Sequence, residues 1–351
     1  MKAYYAHYRL DFKRPSGTSR GVLRQKDTFF IILKKEGKYG VGECGLLRGL
    51  SIDDRSDYEE MLAWTCENIS LGEGEKVLLQ KLMEFPSIQF GVETAFRSLK
   101  AESPFELFPS DFTRGKDAID INGLVWMGDK QFMKNQIVDK LEEGFQCIKM
   151  KIGAIDFDTE FELLKLIRKE FSASEITLRV DANGAFEYEE ALEKLKWLSD
   201  LEIHSIEQPI KQNQWEQMAE LCDKTPLPIA LDEELIGVFN EEEQDRLLST
   251  IKPQYIILKP SLVGGMAGSD RWIALAEKHR AGWWMTSALE SNIGLNAIAQ
   301  YTYTKNNDMP QGLGTGSLYT NNIESPLEVV QGALRYNPKG EWDWETDGFL
   351  N

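Results

Sequence analysis

Cys147-Ile148-Lys149-Met150-Lys151-Ile152-Gly153 is the stretch on which the reading of this chain turns. It is bounded by Gly144 and Gly153 and alternates strictly in character, the mark of a β-strand. Strand side chains alternate between faces, so Ile148, Met150 and Ile152 share one face and Lys149 and Lys151 the other. Two ammonium groups on one face repel each other, and at least one is expected to release its proton more readily than a free lysine and to act as a base. Alone, a Lys-x-Lys pair reads equally as the solvated face of an edge strand. The rest of the chain decides between the two.

From residue 118 onward, strand and helix patterns alternate. Strand candidates fall at 119–127, 147–153, 177–183, 205–210, 228–233, 255–261, 283–289 and 311–314. Helical segments lie between them, near 129–143, 156–170, 187–199, 212–223, 240–249, 266–279 and 293–304. This pattern predicts a parallel (β/α) barrel, with the active site at the carboxyl ends of the strands. There the third strand offers Arg179, Asp181 and Asn183 on one face, the fourth Glu207, the fifth Asp232 and the sixth Lys259. Regular alternation points Glu233 away from the mouth.

Each acid alone has an ordinary reading as a helix cap or surface charge. Three inward carboxylates on adjacent strands, however, repel strongly without a cation, and an all-oxygen set suits Mg²⁺. Lys259 stands four strands from Lys151, across the mouth. A metal between opposed lysines suits proton abstraction beside a carboxylate, with the metal stabilising the enediolate, an arrangement known from enolase-type sites.

Composition removes whole classes of function. A net charge of −17 argues against nucleic acid or an anionic membrane as partner. No apolar run approaches membrane-spanning length and no signal pattern follows Met1, so the chain is expected to be cytoplasmic. Cys44, Cys66, Cys147 and Cys222 are scattered and read as buried reduced thiols. His7, His204 and His279 are too dispersed for a histidine metal site. The chemistry must rest on lysines and carboxylates.

Residues 3–10, 27–34 and 38–44 read as strands and 53–100 as helical, giving a small α+β domain over 1–115 before a barrel over 116–320. The basic, turn-rich segment 13–21 reads as a surface loop or as a lid over an anionic substrate. The last segment, 321–351, is expected to return to the first domain, with one amphipathic helix (Leu327, Val329, Val330, Leu334) and with Trp342 and Trp344 packing there.

Together, Lys149-Met150-Lys151, Asp181-Ala182-Asn183, Ile206-Glu207-Gln208-Pro209, Asp232-Glu233 and Lys259-Pro260 resemble the strand-end motifs of the muconate-lactonising subgroup of the enolase superfamily. Gly40-Val41-Gly42-Glu43-Cys44 resembles part of that family's capping domain, so the resemblance spans nearly the whole chain. It implies Asp181, Glu207 and Asp232 as Mg²⁺ ligands, Lys151 and Lys259 as acid/base lysines on opposite substrate faces, and Lys149 as an auxiliary cation.

Within the subgroup, Thr286-Ser287-Ala288-Leu289-Glu290-Ser291-Asn292-Ile293-Gly294 and Gly312-Leu313-Gly314-Thr315-Gly316-Ser317-Leu318-Tyr319 resemble the seventh- and eighth-strand loops of o-succinylbenzoate synthases. Asn183, Thr286, Ser287 and Gly314 are thereby expected to bind substrate. Dipeptide epimerases of the subgroup carry an acidic pair at the eighth strand, and residues 311–319 contain no Asp or Glu. The family's third-strand motif often continues with a bulky or basic residue, where this chain has Gly184. The expected activity is dehydration of 2-succinyl-6-hydroxy-2,4-cyclohexadiene-1-carboxylate to o-succinylbenzoate, a step of menaquinone synthesis. An N-acylamino acid racemase and, more distantly, a non-catalytic barrel binding a small acid are the alternatives.

Overall fold

The computed structural model describes residues 1–18, 21–126, 128–153 and 155–344. Three antiparallel strands open the chain: β1 (Lys2–Thr18), β2 (Gly21–Lys35) and β3 (Lys38–Cys44), in that sheet order. Strand β2 is buried on both faces. Phe29, Ile31 and Leu33 pack under helices α1 (Tyr58–Leu71), α2 (Glu75–Lys81) and α3 (Pro86–Lys100). Phe30 and Ile32 pack with Val41, Phe105 and the expected Trp344 on the opposite face. Helix α3 lies directly on β3 because Gly42 lacks a side chain: a Cβ there would stand 2.0 Å from the Gly91 carbonyl oxygen. The 13–21 segment differs from the expected loop. Strands β1 and β2 run on through it as a hairpin with an irregularity between Asp11 and Ser16, while Ser19 and Arg20 lie outside the described residues.

The second sheet is parallel. Its order is β11 (Gly282–Met285), β10 (Tyr255–Leu258), β9 (Ile229–Leu231), β8 (Ser205–Glu207), β7 (Thr177–Asp181), β6 (Cys147–Lys151), β5 (Gly123–Val125). Between them run α4 (Lys130–Glu142), α5 (Phe157–Glu170), α6 (Tyr188–Ser199), α7 (Trp215–Lys224), α8 (Glu241–Ile251), and the pair α9 (Pro260–Val263) and α10 (Gly265–His279). Helix α11 (Asn292–Tyr303) follows β11. Ile148, Met150, Leu178, Val180, Ile206, Ile229 and Leu231 face these helices in one continuous core. Burying each such side chain contributes roughly 1.5–3 kcal/mol.

The sequence places an eighth strand at 311–314, and the structure forms only its minimum. Gln311 bridges Ile121 and Gly312 bridges Thr286, both in parallel sense. The Asn122 amide donates to Gln311 (2.9 Å) and the Gly312 amide to Met285 (2.7 Å), which closes the barrel. The predicted strand 119–127 is in fact two strands, because β4 (Ala118–Asp120) leaves to join another sheet.

The helix expected near the C-terminus is a correction. β12 (Leu327–Val330) and β13 (Ala333–Tyr336) form an antiparallel hairpin, and β13 pairs β4. Leu327, Val330 and Leu334 fit a helical spacing, but Gln331 (φ 52°) and Gly332 (φ 72°) are both left-handed, the signature of a type I′ turn that no helix accommodates. All four cysteines are buried free thiols, as expected.

Candidate active site

Strand alternation carries the first residues inward as predicted. Lys149 pairs with Arg179 in register, Lys151 with Asp181, and Asp181 with Glu207, so these side chains rise together inside the barrel. Lys149, Lys151, Asp181, Asn183, Lys259, Thr286, Ser287 and Gly314 all line one cavity of about 570 Å³ between the barrel mouth and the cap. Glu207 and Asp232 lie buried beside them, at 2% exposure each.

The groups form a tight lattice of opposite charge. Lys149 Nζ stands 2.6 Å from Glu207 Oε2 and 3.0 Å from Asp181 Oδ2. Lys151 Nζ donates to Asp181 Oδ2 (2.9 Å) and to Asn183 Oδ1 (2.7 Å). Lys259 donates to Asp232 Oδ2, and its backbone carbonyl starts the short helix α9. Beneath them Arg179 lies 4.0 Å over the Trp284 ring and donates to the Pro310 carbonyl.

For Lys149 these contacts run against the expectation that mutual repulsion would loosen its proton. Burial does lower the proton affinity of Lys149, but the carboxylates of Asp181, Glu207 and Asp232 outweigh it and hold the ammonium charged well above its ordinary range. Lys259 is raised likewise, against burial, by Asp232 and Glu233. Glu207 is pushed up to about 8, first by burial and then by the Asp181 charge, while Asp181, between two lysines, is pulled down in spite of burial.

Glu233 is the second correction. Strand β9 ends at Leu231, and a tight 3-10 turn over Glu233–Leu235 swings Glu233 back toward the mouth. Its Oε1 accepts from Asn183 Nδ2 at 3.0 Å, so Glu233 orients the amide that holds Lys151. Gln208 makes that turn possible. Its Oε1 accepts from the amides of Asp232 (3.2 Å) and Glu234 (3.3 Å), and its Nε2 donates to Glu234 Oε2 (3.0 Å). Neither role follows a period in the sequence, because both arise where the strand stops.

At the opposite rim Thr286 Oγ1 donates to the Gly312 carbonyl (2.8 Å), and Ser287 and Thr315 share a hydrogen bond (2.7 Å). Trp126 supplies an aromatic wall, its ring centroid 5.9 Å from Lys151 Nζ, and Leu47, Leu50 and Leu289 complete an apolar flank. Lys13 and Arg14 reach the cavity from the cap hairpin. The sequence had not marked Trp126 or the Leu47–Leu50 turn.

Among the described residues no three carboxylate, imidazole or thiol groups stand at ligand spacing, since each carboxylate is drawn to an ammonium. The donor chemistry nevertheless fits a hard divalent cation. Asp181, Glu207 and Asp232 present only oxygens from three consecutive strand ends, and buried Glu207 Oε1 has no hydrogen-bond partner.

Comparison with known proteins follows the same outline. Residues 133–340 match the model of the enolase C-terminal domain-like family. The chain is 47% identical to an o-succinylbenzoate synthase of Desulfotalea psychrophila, over 95% of this chain and 98% of that one. It is 30% identical to a D-Ala-D/L-Ala epimerase of Cytophaga hutchinsonii, over 93% and 88% of the two chains. Among solved structures, MenC from Desulfotalea psychrophila superposes with a TM-score of 0.85 at 43% identity, covering 95% of this chain and 99% of that one. Muconate lactonizing enzyme from Pseudomonas fluorescens shares the fold, with a TM-score of 0.81 at 22% identity and coverage of 97% and 96%. The chain thus belongs to the enolase superfamily, among its muconate-lactonising relatives.

Proposed function

We propose that the chain is an o-succinylbenzoate synthase, dehydrating 2-succinyl-6-hydroxy-2,4-cyclohexadiene-1-carboxylate in menaquinone synthesis. The observation that carries this reading is near-full-length identity of 47% to an enzyme of that name. The lattice of lysines and carboxylates supports it chemically. Asp181, Glu207 and Asp232 would hold a Mg²⁺ ion, which supplies a Lewis acid for the substrate's ring carboxylate.

Lys151 is positioned for the proton. Asp181 and Asn183 fix its Nζ at the cavity wall, where it would take the proton beside the ring carboxylate and return it to the departing hydroxyl on the same face. Lys259, four strands away, would face the anionic intermediate as a cation, and Lys149 would add charge next to Lys151. Trp126 and Leu289 line the cavity, where they would exclude water from the ring. Thr286, Ser287 and the glycine-rich turn at Gly314 form the opposite rim, suited to the succinyl side. The ligand class is a small carboxylate.

The test is the appearance of o-succinylbenzoate, followed by its aromatic absorbance with Mg²⁺ present. Solvent deuterium exchange at the α-carbon of N-succinyl amino acids is followed in parallel. Two opposed lysines also meet the needs of a racemase, so efficient exchange with negligible dehydration would replace this reading with the N-acylamino acid racemase.

A further inference from the structure

Leu289 is a strained point in the cavity wall. It lines the cavity with a left-handed backbone (φ 61°), a conformation that a bulky side chain keeps only when its surroundings impose it. Its amide makes a long bond to Ser287 Oγ (3.4 Å), whereas its carbonyl accepts a short one from the Tyr319 hydroxyl (2.7 Å). Tyr319 is 2% exposed and follows the short 3-10 turn Thr315–Leu318, whose Ser317 and Leu318 also line the cavity.

The other side of Tyr319 faces the cap, at its seam with the barrel. Asp11 of β1 pairs with Gln25 of β2 and Ser16 pairs with Leu23, so Phe12, Lys13, Arg14 and Pro15 bulge out opposite Arg24 alone. Bulges re-aim side chains beside active sites, and here Lys13, Arg14 and Pro15 line the cavity. Residues 319–321 run along the edge of β1 where this bulge begins. Tyr319 bridges Phe12 in antiparallel sense, with the two rings 4.7 Å apart and tilted by 58°. The Thr320 amide donates to the Asp11 carbonyl (2.9 Å), the Asp11 amide to Asn321 Oδ1 (2.7 Å), and Asn321 Nδ2 to the Arg9 carbonyl (2.8 Å).

We propose that Tyr319 is a positioning residue that clamps two walls of the substrate cavity to each other. Its hydroxyl keeps Leu289 left-handed against the substrate, and its ring and backbone hold the bulge that carries Lys13 and Arg14. One buried side chain with few rotatable bonds makes both contacts, so the position of each wall is set by the other. Tyr319 acts through these groups and not on the reacting atoms. The proposal takes its substrate, and nothing else, from the dehydration proposed above.

The test is a double-mutant cycle on the full-length protein with Mg²⁺: wild type, Tyr319→Phe, Leu289→Gly and the double variant. Tyr319→Phe removes the hydroxyl and keeps the ring. It should raise KM for dehydration by about ten-fold with kcat held within about two-fold, because substrate fit is disturbed and proton transfer is not. Leu289→Gly also weakens the wall, but glycine is at ease at positive φ and needs no restraint. On that background Tyr319→Phe should change KM by less than about two-fold. KM losses that multiply in the double variant, or an unchanged KM in Tyr319→Phe, would overturn the proposal. If the enzyme proves to be a racemase, the same four proteins are compared on N-succinyl amino acids, so failure of the functional reading does not decide this one. The hairpin contact is read without substrate. Phe12→Ala removes the ring contact and should speed trypsin cleavage after Lys13, followed by mass spectrometry, by about ten-fold, whereas Tyr319→Phe should leave that rate unchanged. An unchanged rate in Phe12→Ala refutes the clamp whatever reaction the enzyme performs. Should Phe12→Ala not fold, Phe12→Leu, which also lacks the ring, carries the same cleavage test.

Discussion

Glu93 offers a pH test of how the cap is held on the barrel. It sits on α3, 8% exposed, and its carboxylate accepts from the first amides of α10, Met266 at 2.5 Å and Ala267 at 3.1 Å. Burial, aided by the charges of Glu75 and Asp270, outweighs those two amides and pushes the group from its ordinary 4.5 up to about 7. The folded state therefore holds the proton more tightly than the unfolded chain. The stabilisation is full below about pH 4.5 and is lost as pH rises through about 7. A shift of that size corresponds to about 3 kcal/mol in total, of which roughly 2.5 kcal/mol falls between pH 5 and 8. Glu93→Gln cannot titrate and still offers an oxygen to one amide. Urea titrations at pH 5 and pH 8, followed by tryptophan fluorescence, should show a pH dependence about 2.5 kcal/mol smaller in the variant than in the wild type. Identical pH dependence in the two proteins would refute this account of the seam.

Four further outcomes are expected. Excess chelator, or Glu207→Gln, should abolish dehydration while far-UV circular dichroism is unchanged; full activity in chelator would rule out a metal role for the three carboxylates. Lys151→Arg should be nearly inactive, because a guanidinium stays protonated and cannot act as base, whereas Lys259→Arg keeps the charge and should retain measurable turnover. Asp232→Asn should weaken metal binding, read by calorimetry, more than Glu233→Ala, and the latter should lower kcat by about ten-fold through the Asn183 that holds Lys151. Gly42→Ala places a methyl group against the Gly91 carbonyl oxygen, a backbone atom that cannot rotate away, and should cost about 3 kcal/mol in urea unfolding.

The chain's period-two pattern was enough to bring Lys149, Lys151, Asp181 and Glu207 to one interior, because a regular strand has no other way to distribute alternating side chains. The alternation of strand and helix from residue 118 was likewise enough for a barrel, since parallel neighbours require crossovers of that length. Where regularity stops, only tertiary structure decides. Glu233 joins the site because Gln208, just past the end of neighbouring β8, stabilises a turn just past Leu231. The segment 327–336 is a hairpin because two left-handed residues and pairing to distant β4 outweigh an apolar spacing that also fits a helix. The firm hold of Lys149 on its proton depends on carboxylates from residues 181, 207 and 232, which no local reading of Lys-Met-Lys contains. Local sequence set which face each group occupies; the charge each group carries depends on neighbours brought in from other strands, because electrostatic energy follows distance in space and not along the chain.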